Sequence, residues 1–369
     1  MHPPIPSRFP QIDILRSVAV LLVLGRHMTE CPETTSTWLH DITHVWWQGG
    51  WAGVDLFFVL SGFLVSGLLF SEYEKYRQLR IGRFLIRRGF KIYPPFWLLI
   101  GVTFVGRFVR HSSEPLWAEL LSELAFVQNY GPSLWNYTWS LAVEEHFYLL
   151  LAFGFFLLCK RRAGHAFSSI PAAFLVAAMV CLTLRLLGTH AAYDNKTHLF
   201  PTHLRLDSLF FGVLLSFLFH RHPASFLAFA KRFRHGLLGA GVLLLSPAFC
   251  LPLETTPFIY TYGLTLFYIG GGCLLVSALG SPASVSGFGR AMACIGSHSY
   301  SIYLWHMPVA ILGASPLARR FQEDLRWPVY AILYLGGAIL FGMTMSILIE
   351  SPVLRLRNRL FPSRSGAPG

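Results

Sequence analysis

Charge is what this chain has least of. Of its 369 residues, 13% are Asp, Glu, Lys or Arg and 54% are hydrophobic, with a mean hydropathy of +0.51. Soluble proteins carry about 25% charged residues, so the deficit excludes an ordinary soluble domain and indicates a polytopic membrane protein. Acids are scarcer than bases, 18 against 30, for a net charge of +12. Such an excess would suit nucleic acid, but no soluble basic domain exists to carry it, and that class drops out. The six cysteines (Cys31, Cys159, Cys181, Cys250, Cys273 and Cys294) stand singly, without metal-like spacing, and most fall in apolar runs. They read as small buried hydrophobes, with one Cys31–Cys250 disulfide left open. Internal repeats and low-complexity linkers are missing, and the Pro-rich, polar amino terminus shows no cleavable signal.

What is present is a series of apolar runs. Ten spans of roughly 20 residues can be drawn near 11–30, 52–71, 90–110, 139–159, 169–188, 203–220, 236–251, 257–279, 293–313 and 328–350. The expected fold is all-α, a polytopic membrane helix bundle of about ten transmembrane helices. A single domain covers 1–360, and a short disordered tail follows at 361–369. Residues 114–130 are amphipathic with acids on one side, a surface helix rather than a span. With the amino terminus inside, 20 of the 30 Lys and Arg fall in inner segments and 6 in outer ones. That bias puts both termini in the cytoplasm.

The first span, Ile12 to Met28, carries Asp13, Arg16, Arg26 and His27 among aliphatic residues. Arg16 and His27 lie about three turns apart, on one helix face and about 16 Å from each other along the axis. Burying each is costly unless it is compensated, so the pair is read as lining a path or a site. Depth counted from the helix starts gathers His27, Asp55, Glu144, Glu145, Arg205 and Asp207 toward the outside. It gathers Arg16, Arg87, Arg88, Lys91 and Glu350 toward the inside. A carboxylate beside an imidazole suits general-base catalysis, and Arg and Lys at a membrane entrance suit a phosphate-bearing ligand.

Blander readings stand beside these. Arg87, Arg88 and Lys91 equally serve as positive-inside anchors. Arg205 and Asp207 can pair with helix ends, and His306 can be an interhelical hydrogen bonder. Glu144 and Glu145 are adjacent and face different ways, so one of them enters a site. His40, His44, His190 and His198 read as solvated loop residues.

Seven stretches carry a likeness. They are Asp13-Ile-Leu-Arg16 through His27, Gly53-Val-Asp-Leu-Phe-Phe-Val-Leu-Ser-Gly62, Arg87-Arg through Pro94, Trp139-Ser-Leu-Ala-Val-Glu144, Arg205-Leu-Asp207, Ser299-Tyr-Ser-Ile-Tyr-Leu-Trp-His306 and Glu350-Ser-Pro352. In this order the chain resembles the integral-membrane acyltransferase-3 family of O-acyltransferases. The resemblance implies a donor, usually acetyl-CoA or another acyl-CoA, entering from the cytoplasm. It also implies an outward-facing acceptor hydroxyl on a glycan, lipid-linked saccharide or glycosylated metabolite, at a bacterial inner membrane. The family's Arg-x10-His signature maps onto Arg16 and His27. Lys91 stands where Arg is common and His146 where Gln is common. The fused extracytoplasmic esterase-like domain of some members is not expected, so any handover partner would be a separate protein.

On this reading Arg16, Arg87, Arg88 and Lys91 bind the donor, and His27, oriented by Glu144 or Asp55, is the base. No metal is called for, and transfer is direct or passes through an acyl-histidine. The rival is a transporter or flippase of a lipid-linked saccharide, which the lack of repeats and of broken helices in matching halves disfavours. Acceptor choice falls to the segments 31–50, 111–138 and 189–202, with Trp38, Trp46, Trp47, Trp117 and Trp135.

Overall fold

A computed structural model describes residues 9–111, 116–159, 167–282, 284 and 286–363. Among them there are helices and turns and no strand. In chain order the helices are α1 (Pro10–His27), α2 (Thr37–Gly49), α3 (Ala52–Tyr76), α4 (Ile81–His111), α5 (Trp117–Leu124) and α6 (Trp139–Cys159). Then come α7 (Ile170–Gly188), α8 (Asn195–His198), α9 (Leu206–Arg221), α10 (Pro223–Leu245), α11 (Pro247–Cys250) and α12 (Leu264–Leu279). The last are α13 (Gly287–Ser297), α14 (Ser299–Pro308), α15 (Ser315–Ala318), α16 (Glu323–Met345) and α17 (Ser351–Leu360). Arg8, Lys160, Arg161, Arg162 and the expected tail beyond 363 lie outside the described residues.

Seven helical stretches among the described residues are long and apolar enough to cross a membrane, against ten expected. The other three expected spans fall short for physical reasons. Helix α1 has 18 residues and includes Asp13, Arg16 and Arg26; α9 has 16 residues. Helix α14 has 10 and passes through Pro308 into a π-helical turn over Val309–Ala314. These short, charged or broken helices carry His27, Asp207 and His306. The bundle's outside is apolar: Val102, Val105 and Phe108 on α4 and Leu175, Val176, Met179 and Val180 on α7 are exposed. A helical bundle with such an exterior, its backbone groups satisfied within its helices, fits a bilayer.

Close helix contact is set by glycine. Helix α3 runs along α9, and a Cβ on Gly62 would lie 2.0 Å from the Leu209 carbonyl oxygen. One on Gly212 would lie 2.3 Å from that of Val59. Only residues without a side chain permit this approach. Helix α1 sits centrally, against α3, α13 and α14.

Three expectations change. The segment 31–50 is helical over α2, whose Trp46 donates to the Leu21 carbonyl at 3.1 Å, so His40 and His44 lie on a helix. Helix α4 begins nine residues before 90 and takes Arg83, Arg87 and Arg88 into the helix. The six cysteines are free: Cys31 is buried with its Sγ toward the Pro32 carbonyl, while Cys250 is exposed. The surface helix expected within 114–130 is present as the shorter α5.

Candidate active site

Helix α1 ends at His27, where Met28 turns to an extended conformation. The His27 ring lies 5.0 Å from that of His306 and 6.2 Å from Tyr137, centroid to centroid. His306 Nδ1 is 2.5 Å from the Tyr303 carbonyl oxygen, which can only accept, so Nδ1 carries the proton. Its Nε2 therefore presents a lone pair, and it is buried with no hydrogen-bond partner. Pro308 explains how Tyr137 comes to stand here. It lacks the N–H that would bond the carbonyl four residues back, that of Leu304. The Tyr137 hydroxyl donates to that carbonyl at 2.6 Å instead. The loop bearing Tyr137 is held from its other side by Glu123, which accepts from the Leu134 and Trp135 amides and the Thr138 hydroxyl. His27 opens on a cavity of about 590 Å³, walled by Trp51, Trp135, Trp139, Tyr137 and Phe200, with Arg26, Arg107 and Arg205.

The carboxylates expected beside His27 are elsewhere. Asp55 accepts from Arg205 Nη2 at 2.6 Å, both side chains 1% exposed. Asp207 accepts from Arg185 Nη2 at 2.5 Å, buried as completely. The bland reading of Arg205 and Asp207 thus holds in part, although the partners are side chains rather than helix ends. Glu144 accepts from Ser61 at 3.0 Å and from the Tyr148 hydroxyl. Among the described residues no carboxylate is hydrogen-bonded to His27. Depth counted from helix starts misplaced Glu144 because those starts are not level. Its partner Ser61 stands nine residues into α3, about 13 Å below the start, whereas Asp55 is in the first turn.

Glu144 belongs to a second cavity, of about 130 Å³, with Arg16, Arg88, Lys91, Ser61, Tyr148 and Tyr300 on its walls. Arg16 is held loosely, 3.7 Å from Asp13, so its guanidinium stays available to the cavity. Arg87 does not join it; it turns to Asn358 and the Phe361 carbonyl and ties α4 to the chain's end. Glu145 faces away as expected and accepts from Tyr93 at 3.0 Å. Glu350, expected near Arg16, is held by Ser301 at 2.9 Å and Ser346 at 3.1 Å. His146 is paired with Thr202 at 2.7 Å, away from Glu144.

The two cavities share two lining residues, Val54 and Tyr303. The Tyr303 hydroxyl donates to the Tyr137 carbonyl at 2.5 Å and accepts from Ser140 at 2.7 Å, which holds the ring in place. Sequence reasoning missed Tyr303, Tyr137 and Ser61. One signal existed: a proline two residues after His306 frees the Leu304 carbonyl for a new donor.

A family model described as an acyltransferase domain matches residues 9–347. The peptidoglycan O-acetyltransferase OatA of Listeria monocytogenes is 27% identical over 371 residues, covering 93% of this chain and 55% of that protein. The putative peptidoglycan O-acetyltransferase YrhL of Bacillus subtilis is 28% identical, covering 82% of this chain and 49% of its own length. The O-acetyltransferase OatA of Staphylococcus aureus is 26% identical, at 98% and 60%. The chain thus spans about half the length of these curated relatives. No solved structure matches it.

Proposed function

The chain belongs to the acyltransferase domain family, and on that premise we propose that it moves an acetyl group from acetyl-CoA to a glycan hydroxyl. The observation that carries this reading is the pair of cavities meeting at Val54 and Tyr303. One is edged by cations that suit the donor's phosphates: Arg16, Arg88 and Lys91. The other is larger, has aromatic walls that suit sugar rings, and contains His27. The bias of 20 inner against 6 outer Lys and Arg supports a cytoplasmic donor side and an outward acceptor side. The relatives named for peptidoglycan favour a cell-envelope glycan as acceptor.

In the proposed reaction the donor's arm follows α1 for about 16 Å, bringing its thioester to the partition. His27 takes the proton of the acceptor hydroxyl, whose oxygen attacks the thioester carbonyl. The tetrahedral intermediate collapses, the carbon–sulfur bond breaks, and the leaving thiolate takes the proton from the imidazolium. His306 replaces the expected carboxylate as the partner of His27, since its Nε2 lone pair can accept an N–H from that ring. Glu144, beside Arg16 and Arg88, belongs to the donor side.

The test is transfer from radiolabelled acetyl-CoA to a glycan extract by the reconstituted protein. His27→Ala is expected to abolish labelling while keeping the thermal stabilisation that acetyl-CoA gives. Arg16→Ala is expected to lose that stabilisation. Normal labelling by His27→Ala would overturn the assignment.

A further inference from the structure

The cavity at His27 has an unusual polar lining. Among the described residues it is bordered by three arginines, Arg26, Arg107 and Arg205, and by no Asp or Glu. Arg26 is spoken for: it is 2.5 Å from Glu254 and stacks 4.2 Å from the Trp47 ring. Arg205 is not fully used. Its side chain is 1% exposed, and of its three nitrogens only Nη2 is bonded, to Asp55. Nε and Nη1 are buried without any acceptor. The guanidinium stands between the rings of Phe58 and Trp139, 5.5 and 5.9 Å from their centroids, so it has little freedom to turn toward another partner.

Unsatisfied donors on a buried guanidinium are costly, and persist where a ligand completes them. Arg107 reaches the same cavity from its rim. It donates one N–H to the Leu134 carbonyl at 2.9 Å and lies 5.8 Å from the Trp135 centroid. Among the described residues it has no carboxylate partner. Its positive charge is therefore uncompensated within the cavity. Nε and Nη1 lie on different edges of the guanidinium, but each shares an edge with Nη2, which carries a second N–H besides the one given to Asp55. Such an edge fits the paired oxygens of a carboxylate or phosphate, and a neutral sugar hydroxyl offers neither that geometry nor the charge.

We propose that this cavity recognises an acidic saccharide, whose carboxylate or phosphate is held along one edge of the Arg205 guanidinium with Arg107 supplying the compensating charge. The aromatic walls contributed by Trp51, Trp135 and Trp139 take the faces of the sugar rings. The oxyanion sits against Arg205, and a hydroxyl of the same molecule is left to face His27. That the occupant is the acyl acceptor rests on the function proposed above; that it is acidic does not.

The experiment measures equilibrium binding to the full chain in lipid nanodiscs with no acyl donor present, so a failure of acyl transfer leaves it readable. Three probes are compared: a methyl glucuronide, a glucose phosphate and the neutral methyl glucoside. At least one acidic probe is expected to bind about tenfold or more tightly than the neutral one. The carboxylate and phosphate arms separate the two sources of the oxyanion. Arg107→Gln is expected to weaken the acidic probe selectively. Arg205→Gln would leave Asp55 unpaired, so it is made together with Asp55→Asn, and the pair is expected to erase the preference while the neutral probe binds as before. Equal binding of all three probes by the unmodified chain would overturn the proposal. So would a preference for acidic sugars that survives both variants.

Discussion

His27 meets another imidazole where a carboxylate was expected, and this changes what a substitution there should do. A carboxylate would stabilise the imidazolium by charge; His306 can only accept a hydrogen bond through Nε2. In the proposed reaction its contribution is to fix the ring that moves the proton. His306→Ala is therefore expected to lower kcat by roughly ten- to a hundredfold with KM for acetyl-CoA unchanged. His306→Gln, which keeps an acceptor, should recover part of the loss. Initial rates at varied donor concentration check this, and a rise in KM alone would show that His306 serves binding instead. Arg16 and His27 were legible in the sequence because two costly charges shared one face of one apolar helix. Tyr137 and Tyr303 were not, because an interior tyrosine is unexceptional until its hydroxyl is seen to fill a particular carbonyl.

At the scale of elements, the helices themselves were legible wherever length and apolarity coincide, as in α6 and α7, whose ends match the expected spans within one residue. Depth was not legible, since it depends on how far each helix slides along its neighbour. The glycine crossing of α3 and α9 sets one such slide, and it aligns the helix of Asp55 with that of Asp207. Gly212→Ala would raise the intrinsic helix propensity of α9 by about 1 kcal/mol, but its new Cβ would meet backbone 2.3 Å away. The clash is expected to win, lowering the thermal midpoint by roughly 3–10 °C. Gly101→Ala on α4, where a Cβ meets nothing within 4 Å, is the control and should be neutral or slightly stabilising. Thermal unfolding in detergent measures both.

For the molecule as a whole, the proposed mechanism depends on which side each end faces. Glu33 follows α1 beyond His27, and Arg359 lies on the exposed side of α17. In a cysteine-free background, a membrane-impermeant maleimide added to intact cells is expected to label E33C and to spare R359C until the cells are opened. The reverse pattern would place the donor cavity outside. An orientation can be predicted from the charge bias, because that is a property of segments; the two cavities were not readable, because they exist only between helices.

The partition at Val54 and Tyr303 carries one more consequence. In the proposed reaction the thioester and the hydroxyl approach from opposite cavities and meet at these two residues, so the coenzyme itself need not cross. Only the acetyl group changes sides in that reaction. On that reading a cell could acetylate a glycan in a compartment that holds no acyl-CoA.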